Sequence, residues 1–207
     1  MPGTTVTPTF CASGSTGEWA SRPFQDQSTA VAAARVAGNI GALITGADIA
    51  KPLDPLVVAE IRQALLAHKV IFFRGQDLDH GTQIAFARQF GDLTHAHPHE
   101  DAPPEDAPEI FTIDPRRYEQ RDGVNYQEQF GKRQYSYFSG WHTDVTAAVN
   151  PPAASILRAE TVPEFGGDTT WTNLVAAYEG LSDPLQRLAD GLIAQHRHAR
   201  PGADLAR

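Results

Sequence analysis

One cysteine, Cys11, stands among 207 residues. A lone cysteine excludes an internal disulfide, so packing rather than cross-linking must hold the chain. No stretch approaches the ~18 consecutive apolar residues that a membrane-spanning helix requires, which leads to the expectation of no membrane partner. No basic segment followed by an apolar stretch marks the N-terminus, an absence that argues against secretion and for a cytoplasmic protein. Lysine and arginine form no run, and 17 basic against 25 acidic side chains leave a net charge of -8. That balance argues against a nucleic-acid surface, and any anion-binding site must be local.

What is present suits a globular domain: 41% hydrophobic and 20% charged residues in a chain long enough for one sizeable core. Residues 1–32 are rich in Thr, Ser, Pro, Gly and Ala without a sustained apolar period, and read as a disordered extension before a domain over 33–207. Val36, Ile40, Leu43 and Ile44 among Gly38, Gly41 and Gly46 suit short strands joined by tight turns. Asp54-Pro55 opens a helix to about His68, with Val57, Ile61 and Leu65 on one face. The apolar run Val70 to Phe73 reads as a buried strand, and Thr82 to Phe90 as a helix ended by Gly91. Strand-like segments follow at Ile110 to Ile113, Ala153 to Ala159, Thr169 to Thr172 and Ile193 to His198. Ser182-Asp183-Pro184 starts a further helix. Between them, 114–140 is long and polar but carries Tyr118, Tyr126, Phe130, Tyr135, Tyr137 and Phe138; it reads as a lid or as an aromatic-anchored surface loop.

The chemistry concentrates at His142-Thr143-Asp144. Residues i and i+2 of a strand or strand end point to one side, so an imidazole and a carboxylate can reach one metal. Two His and one carboxylate on one face of an octahedron make a non-haem Fe(II) site with the opposite face open. The bare spacing is weak evidence: eight His and 15 Asp in 207 residues give ~0.6 chance matches. The chain has two, the second being His99-Glu100-Asp101, in a polar stretch where no strand would hold it.

Context selects between them. Ile40-Gly41-Ala42 with Gly46-Ala47-Asp48, Leu65 to Arg74, Phe90-Gly91-Asp92-Leu93, Trp141 to Thr146, Pro151-Pro152-Ala153 and Gly166 to Trp171 occur together, in order and with matching gaps. Over about Arg35 to His198 the chain thereby resembles the taurine dioxygenase (TauD/TfdA) family of Fe(II)- and 2-oxoglutarate-dependent dioxygenases. The resemblance implies a mixed α/β, mainly β fold: a double-stranded β-helix, or jelly-roll, with flanking helices. It also implies coupled oxidation, in which O2 decarboxylates 2-oxoglutarate to succinate and CO2 while a small anionic substrate, a sulfonate, alkyl sulfate or carboxylate, is oxidised. Carried over by residue, His142 and Asp144 match two iron ligands, Thr169 matches a hydroxyl that contacts a 2-oxoglutarate carboxylate, and His97 matches a substrate-binding histidine, with His95 as its rival.

Phe138, Ala147 and His198 depart from the taurine enzyme's pocket and imply a different substrate. The family's third iron ligand, a histidine, and its 2-oxoglutarate-binding arginine have no match before Arg207. The chain therefore reads as an N-terminal fragment with an incomplete jelly-roll, and His196 and His198 are the histidines after the motif that could substitute. The alternative is a truncated, inactive remnant acting at most as a binding module. A related halogenase fits less well, because there a small residue replaces the carboxylate that Asp144 supplies. Homo-oligomerisation is left open.

Overall fold

In a computed structural model of the chain, residues 30–95, 106–113, 141–162, 164–165 and 168–196 are described, together with the backbone of 4–11. They form two sheets and four helices in a mixed α/β arrangement. Among them no helix is long and apolar enough to cross a membrane.

The smaller sheet is built from β2 (Ala32–Arg35), β3 (Ala42–Thr45) and β4 (Ile71–Phe72). β2 and β3 run antiparallel; β3 and β4 run parallel, joined through α1 (Pro55–His68). α1 starts where Asp54 Oδ1 accepts from the Leu56 amide at 2.8 Å, with Pro55 at a position that loses no hydrogen bond. It stops at Lys69, whose φ of 67° breaks the helical path while its amide still donates to the Leu65 carbonyl at 2.7 Å. β3 turns Ala42 and Ile44 into the core, where Val31, Ile44, Ile49, Ile61 and Phe86 cluster. Phe86 meets Phe73 and Phe90 edge-on at centroid distances of 5.8 and 5.1 Å, the geometry that aromatic quadrupoles favour.

α2 (His80–Arg88) begins two residues earlier than the expected Thr82, because Asp79 and Thr82 form a reciprocal cap. The Thr82 amide donates to Asp79 Oδ1 at 2.7 Å and the Asp79 amide to Thr82 Oγ1 at 2.8 Å. The helix buries Ile84 against Ala107 and Ile110, a second small core.

The larger sheet is centred on β1 (Thr4–Cys11), which pairs antiparallel with β5 (Asp92–Leu93), β6 (Ile110–Ile113), β7 (Ala154–Ser155) and β8 (Arg158–Thr161). Ala154↔Phe10, Ser155↔Thr9, Arg158↔Val6 and Ala159↔Thr5 keep one register, so β7 and β8 share an edge. β5 and β6 occupy the other. Pro8, without an amide hydrogen, falls between the two segments paired on the first edge. β1 corrects the expectation of disorder across 1–32. Thr4, Thr5, Val6, Thr7 and Thr9 are β-branched and favour extended backbone, and the ladder partners of β1 lie 81 to 157 residues away, beyond any local pattern.

Two further expected strands are irregular: 168–173, and 192–196 at the end of the described chain. A strand exists only with a ladder partner, and apolar composition does not provide one. α3 (Leu174–Glu179) and α4 (Asp183–Asp190) lie between them. Asn173 Oδ1 caps α3 by accepting from the amides of Val175 and Ala176, a start not anticipated, although Asn before an apolar run is its usual signature. Tyr178 donates its hydroxyl to Asp190 at 2.6 Å, which ties α3 to α4 and holds the phenol above its ordinary pKa. The expected lid over 114–140 lies outside the described residues.

Candidate metal centre

The segment 141–153 connects the undescribed 114–140 stretch to β7. It is short of regular structure: irregular backbone at Trp141–Thr143 enters a turn over Asp144–Ala147, closed by the Ala148 amide donating to the Val145 carbonyl at 3.1 Å. Within this turn Val145 has φ of 57°, in the left-handed region that β-branched residues avoid.

His142 and Asp144 flank Thr143 where the irregular segment enters the turn, and their side chains converge without a strand to hold them. His142 Nε2 lies 3.3 Å from Asp144 Oδ1, with both side chains mostly exposed at 73% and 63%. Two donors each ~2.1 Å from a first-row divalent ion and at right angles stand ~3.0 Å apart. The observed separation is within a few tenths of an ångström of that octahedral edge. One neutral imidazole nitrogen and one carboxylate oxygen also form the mixed N/O donor set that Fe(II) accepts. The pair therefore fits two adjacent positions on such an ion. Among the described residues no group of three or more His, Cys, Asp or Glu gathers at one point, so a third ligand is not assembled there.

Thr169 is exposed and in irregular backbone. Its stretch is anchored to the smaller sheet: Trp171 packs edge-on against Phe72 at 5.6 Å, and Asn173 Nδ2 donates to the Asn39 carbonyl at 2.7 Å. His97, the decoy pair His99 and Asp101, and His198 lie outside the described residues; His95 is described and exposed. Of the four predicted site residues, the structure thus brings His142 and Asp144 together.

One neighbour of the pair escaped the sequence reading in this role. His196 Nδ1 lies 2.9 Å from Thr146 Oγ1, joining the end of the described chain to the metal loop across 50 residues. Nothing in the local pattern of either segment signals that contact.

Downstream, the loop is clamped through β8. Arg158 donates from Nε to Gln83 Oε1 at 2.9 Å, also donates to the Leu78 carbonyl, and pairs with Glu160. Gln83, fully buried on α2, donates in turn to the Ile156 carbonyl at 3.4 Å. The strand pair that follows the metal loop is in this way bound to α2.

Comparison with known proteins identifies the family. Residues 32–204 match the model of the taurine catabolism dioxygenase TauD, TfdA family. An alpha-ketoglutarate-dependent sulfate ester dioxygenase from Pseudomonas putida is 42% identical over 171 residues, covering 82% of this chain and 50% of that protein. An alkylsulfatase from Acinetobacter baylyi is 38% identical over 163 residues, covering 78% of this chain and 45% of the relative. The crystal structure of a taurine dioxygenase from Burkholderia xenovorans superposes with a TM-score of 0.65 at 42% identity, over 78% of this chain and 51% of that one. The chain spans about half the length of the curated relatives it matches. Because the family match covers most of the chain, the chain belongs to the TauD/TfdA family of taurine catabolism dioxygenases.

Proposed function

We propose that this chain supplies the metal-bearing half of an Fe(II)- and 2-oxoglutarate-dependent dioxygenase that oxidises a small anionic organic substrate, a sulfonate, alkyl sulfate or carboxylate. The observation that carries the reading is the 3.3 Å approach of His142 Nε2 to Asp144 Oδ1, within the residues 32–204 that match the family. Sulfate ester and alkylsulfate chemistry in the names of two relatives supports the substrate class. The complete core is taken to be a jelly-roll, with this chain contributing its first strands and its helices.

In this reading His142 and Asp144 hold the ion. When bound, Fe(II) supplies the redox chemistry that couples decarboxylation of 2-oxoglutarate by O2, to succinate and CO2, with oxidation of a substrate carbon. The Asp144 carboxylate offsets part of the ion's charge, and the His142 imidazole must be neutral to ligate, so binding competes with protons. Thr169 offers a hydroxyl that donates one hydrogen bond to a 2-oxoglutarate carboxylate without adding charge. His97 donates a ring N–H to the anionic end of the substrate.

The test is anaerobic titration of the 207-residue chain with Fe(II) and 2-oxoglutarate, following the visible metal-to-ligand charge-transfer absorption of a chelated 2-oxo acid. The expected result is a band that disappears in His142→Ala and in Asp144→Ala. No band, or a band indifferent to both substitutions, overturns the assignment and leaves the inactive remnant as the better account.

A further inference from the structure

Val145 has a left-handed φ of 57°. A β-branched side chain at such a φ crowds its own carbonyl, and such a residue persists only where its surroundings over-determine the backbone. Val145 follows Asp144 directly, so the direction in which the Asp144 carboxylate leaves the chain depends on that strained peptide. The turn closes locally through a single 3.1 Å hydrogen bond from the Ala148 amide to the Val145 carbonyl, and its residues are exposed or half-buried. Local packing supplies little to hold it.

A remote contact does. Thr146, on the other side of Val145, has its hydroxyl 2.9 Å from His196 Nδ1. The two side chains form one hydrogen bond, with the imidazole donating or accepting according to its tautomer. Val145 is thus flanked by the proposed ligand Asp144 and by the tethered Thr146.

We infer that His196 is a positioning residue: through Thr146 it pins the strained Asp144–Ala147 turn and so orients the Asp144 carboxylate toward His142, without itself being a metal ligand. The inference rests on the proposed metal site for its functional meaning, but its structural content does not. It assigns His196 a task other than that of substitute third ligand, since among the described residues no group of three or more His, Cys, Asp or Glu gathers at one point.

Two readouts separate the inference from the reading beneath it. The first needs no metal: amide hydrogen exchange at Ala148, compared between the parent chain, Thr146→Val, His196→Leu and Thr146→Ser. Loss of one hydrogen bond that holds the turn speeds exchange about five- to tenfold in Thr146→Val and His196→Leu, whereas Thr146→Ser, which keeps the hydroxyl, stays near the parent. The second is Fe(II) affinity in the presence of 2-oxoglutarate, which falls by a similar factor in the same two variants and is restored by Thr146→Ser. Unchanged Ala148 exchange in both disruptive variants overturns the inference whatever the metal does. A parent that protects Ala148 through the link but binds no Fe(II) upholds the positioning contact and sinks the proposed metal site instead. If His196→Leu abolishes iron binding while Thr146→Val leaves it intact, His196 is a ligand and the positioning role is wrong.

Discussion

Replacing Gln83 with leucine tests how the strand pair behind the metal loop is held. Gln83 has 0% of its surface exposed, and its Oε1 accepts from Arg158 Nε at 2.9 Å; the Arg158 side chain is itself only 16% exposed. Leucine keeps the approximate volume, so the change is chiefly one of hydrogen bonding. A hydrogen bond to a charged group is worth ~1.5–3 kcal/mol, and a guanidinium edge held out of water cannot recover it from solvent. The 3.4 Å bond from Gln83 Nε2 to the Ile156 carbonyl lies at the long limit and adds little, while burying leucine atoms returns part of the loss. The expected net cost is ~2 kcal/mol, which for a domain of this size lowers Tm by roughly 4–8 °C. Thermal melts followed by circular dichroism measure it. Glu160→Gln serves as the control, since Glu160 is more exposed and its pairing with Arg158 contributes under ~1 kcal/mol. In a double-mutant cycle with Arg158→Met, the pair of changes costs ~1 kcal/mol less than the sum, because the second removes what the first left without its acceptor. A Gln83→Leu melt within a degree of the parent, or strict additivity in the cycle, refutes the clamp.

Three other predictions concern the scaffold. Ile61 is 1% exposed at the centre of the larger core, so Ile61→Ala leaves a cavity and costs ~2–5 kcal/mol by urea denaturation. Gly46 has φ of +94°, and a Cβ there would stand 2.7 Å from the Ala30 carbonyl oxygen; Gly46→Ala therefore destabilises by more than ~1 kcal/mol, again read from the urea midpoint. The Asp79 carboxyl is held below its ordinary pKa, first by the Thr82 amide and then by the Thr82 hydroxyl. Its stabilising contribution is accordingly complete above the unfolded value and disappears as pH falls through the folded one. Asp79→Asn keeps a capping oxygen without a titrating group, so its urea midpoint declines less steeply than the parent's below pH ~4, and parallel acid limbs would exclude the effect.

α1 was legible residue by residue, because its start and stop are encoded within a few positions: Asp54 and Pro55 at one end, the change of pattern after His68 at the other. The β6 segment Ile110–Ile113 was legible in the same way, by β-branched and aromatic content at strand length. The candidate pair His142 and Asp144 was picked out by a three-residue spacing joined to a longer ordered pattern, and the structure brings the two side chains to 3.3 Å. Apart from the local Asn173 cap of α3, what was not legible depends on a distant partner. β1 looked like a polar tail since its ladder partners begin at Asp92, and Thr169–Thr172 looked like a strand although no partner pairs with it among the described residues.

The sequence by itself therefore determined the family and the helix α1, whose start and stop are local, and it singled out the two candidate ligands. Such features are written in short-range covalent spacing and side-chain chemistry, which survive without knowing the fold. Tertiary structure alone decided that Thr4–Cys11 is the centre of a sheet, that Gln83 on α2 grips Arg158 on β8, and that His196 reaches Thr146 beside the metal pair. Each of these is a contact between residues 50 or more positions apart, whose hydrogen bonds form only after the intervening chain has paid its closure entropy, so no window along the sequence contains both partners.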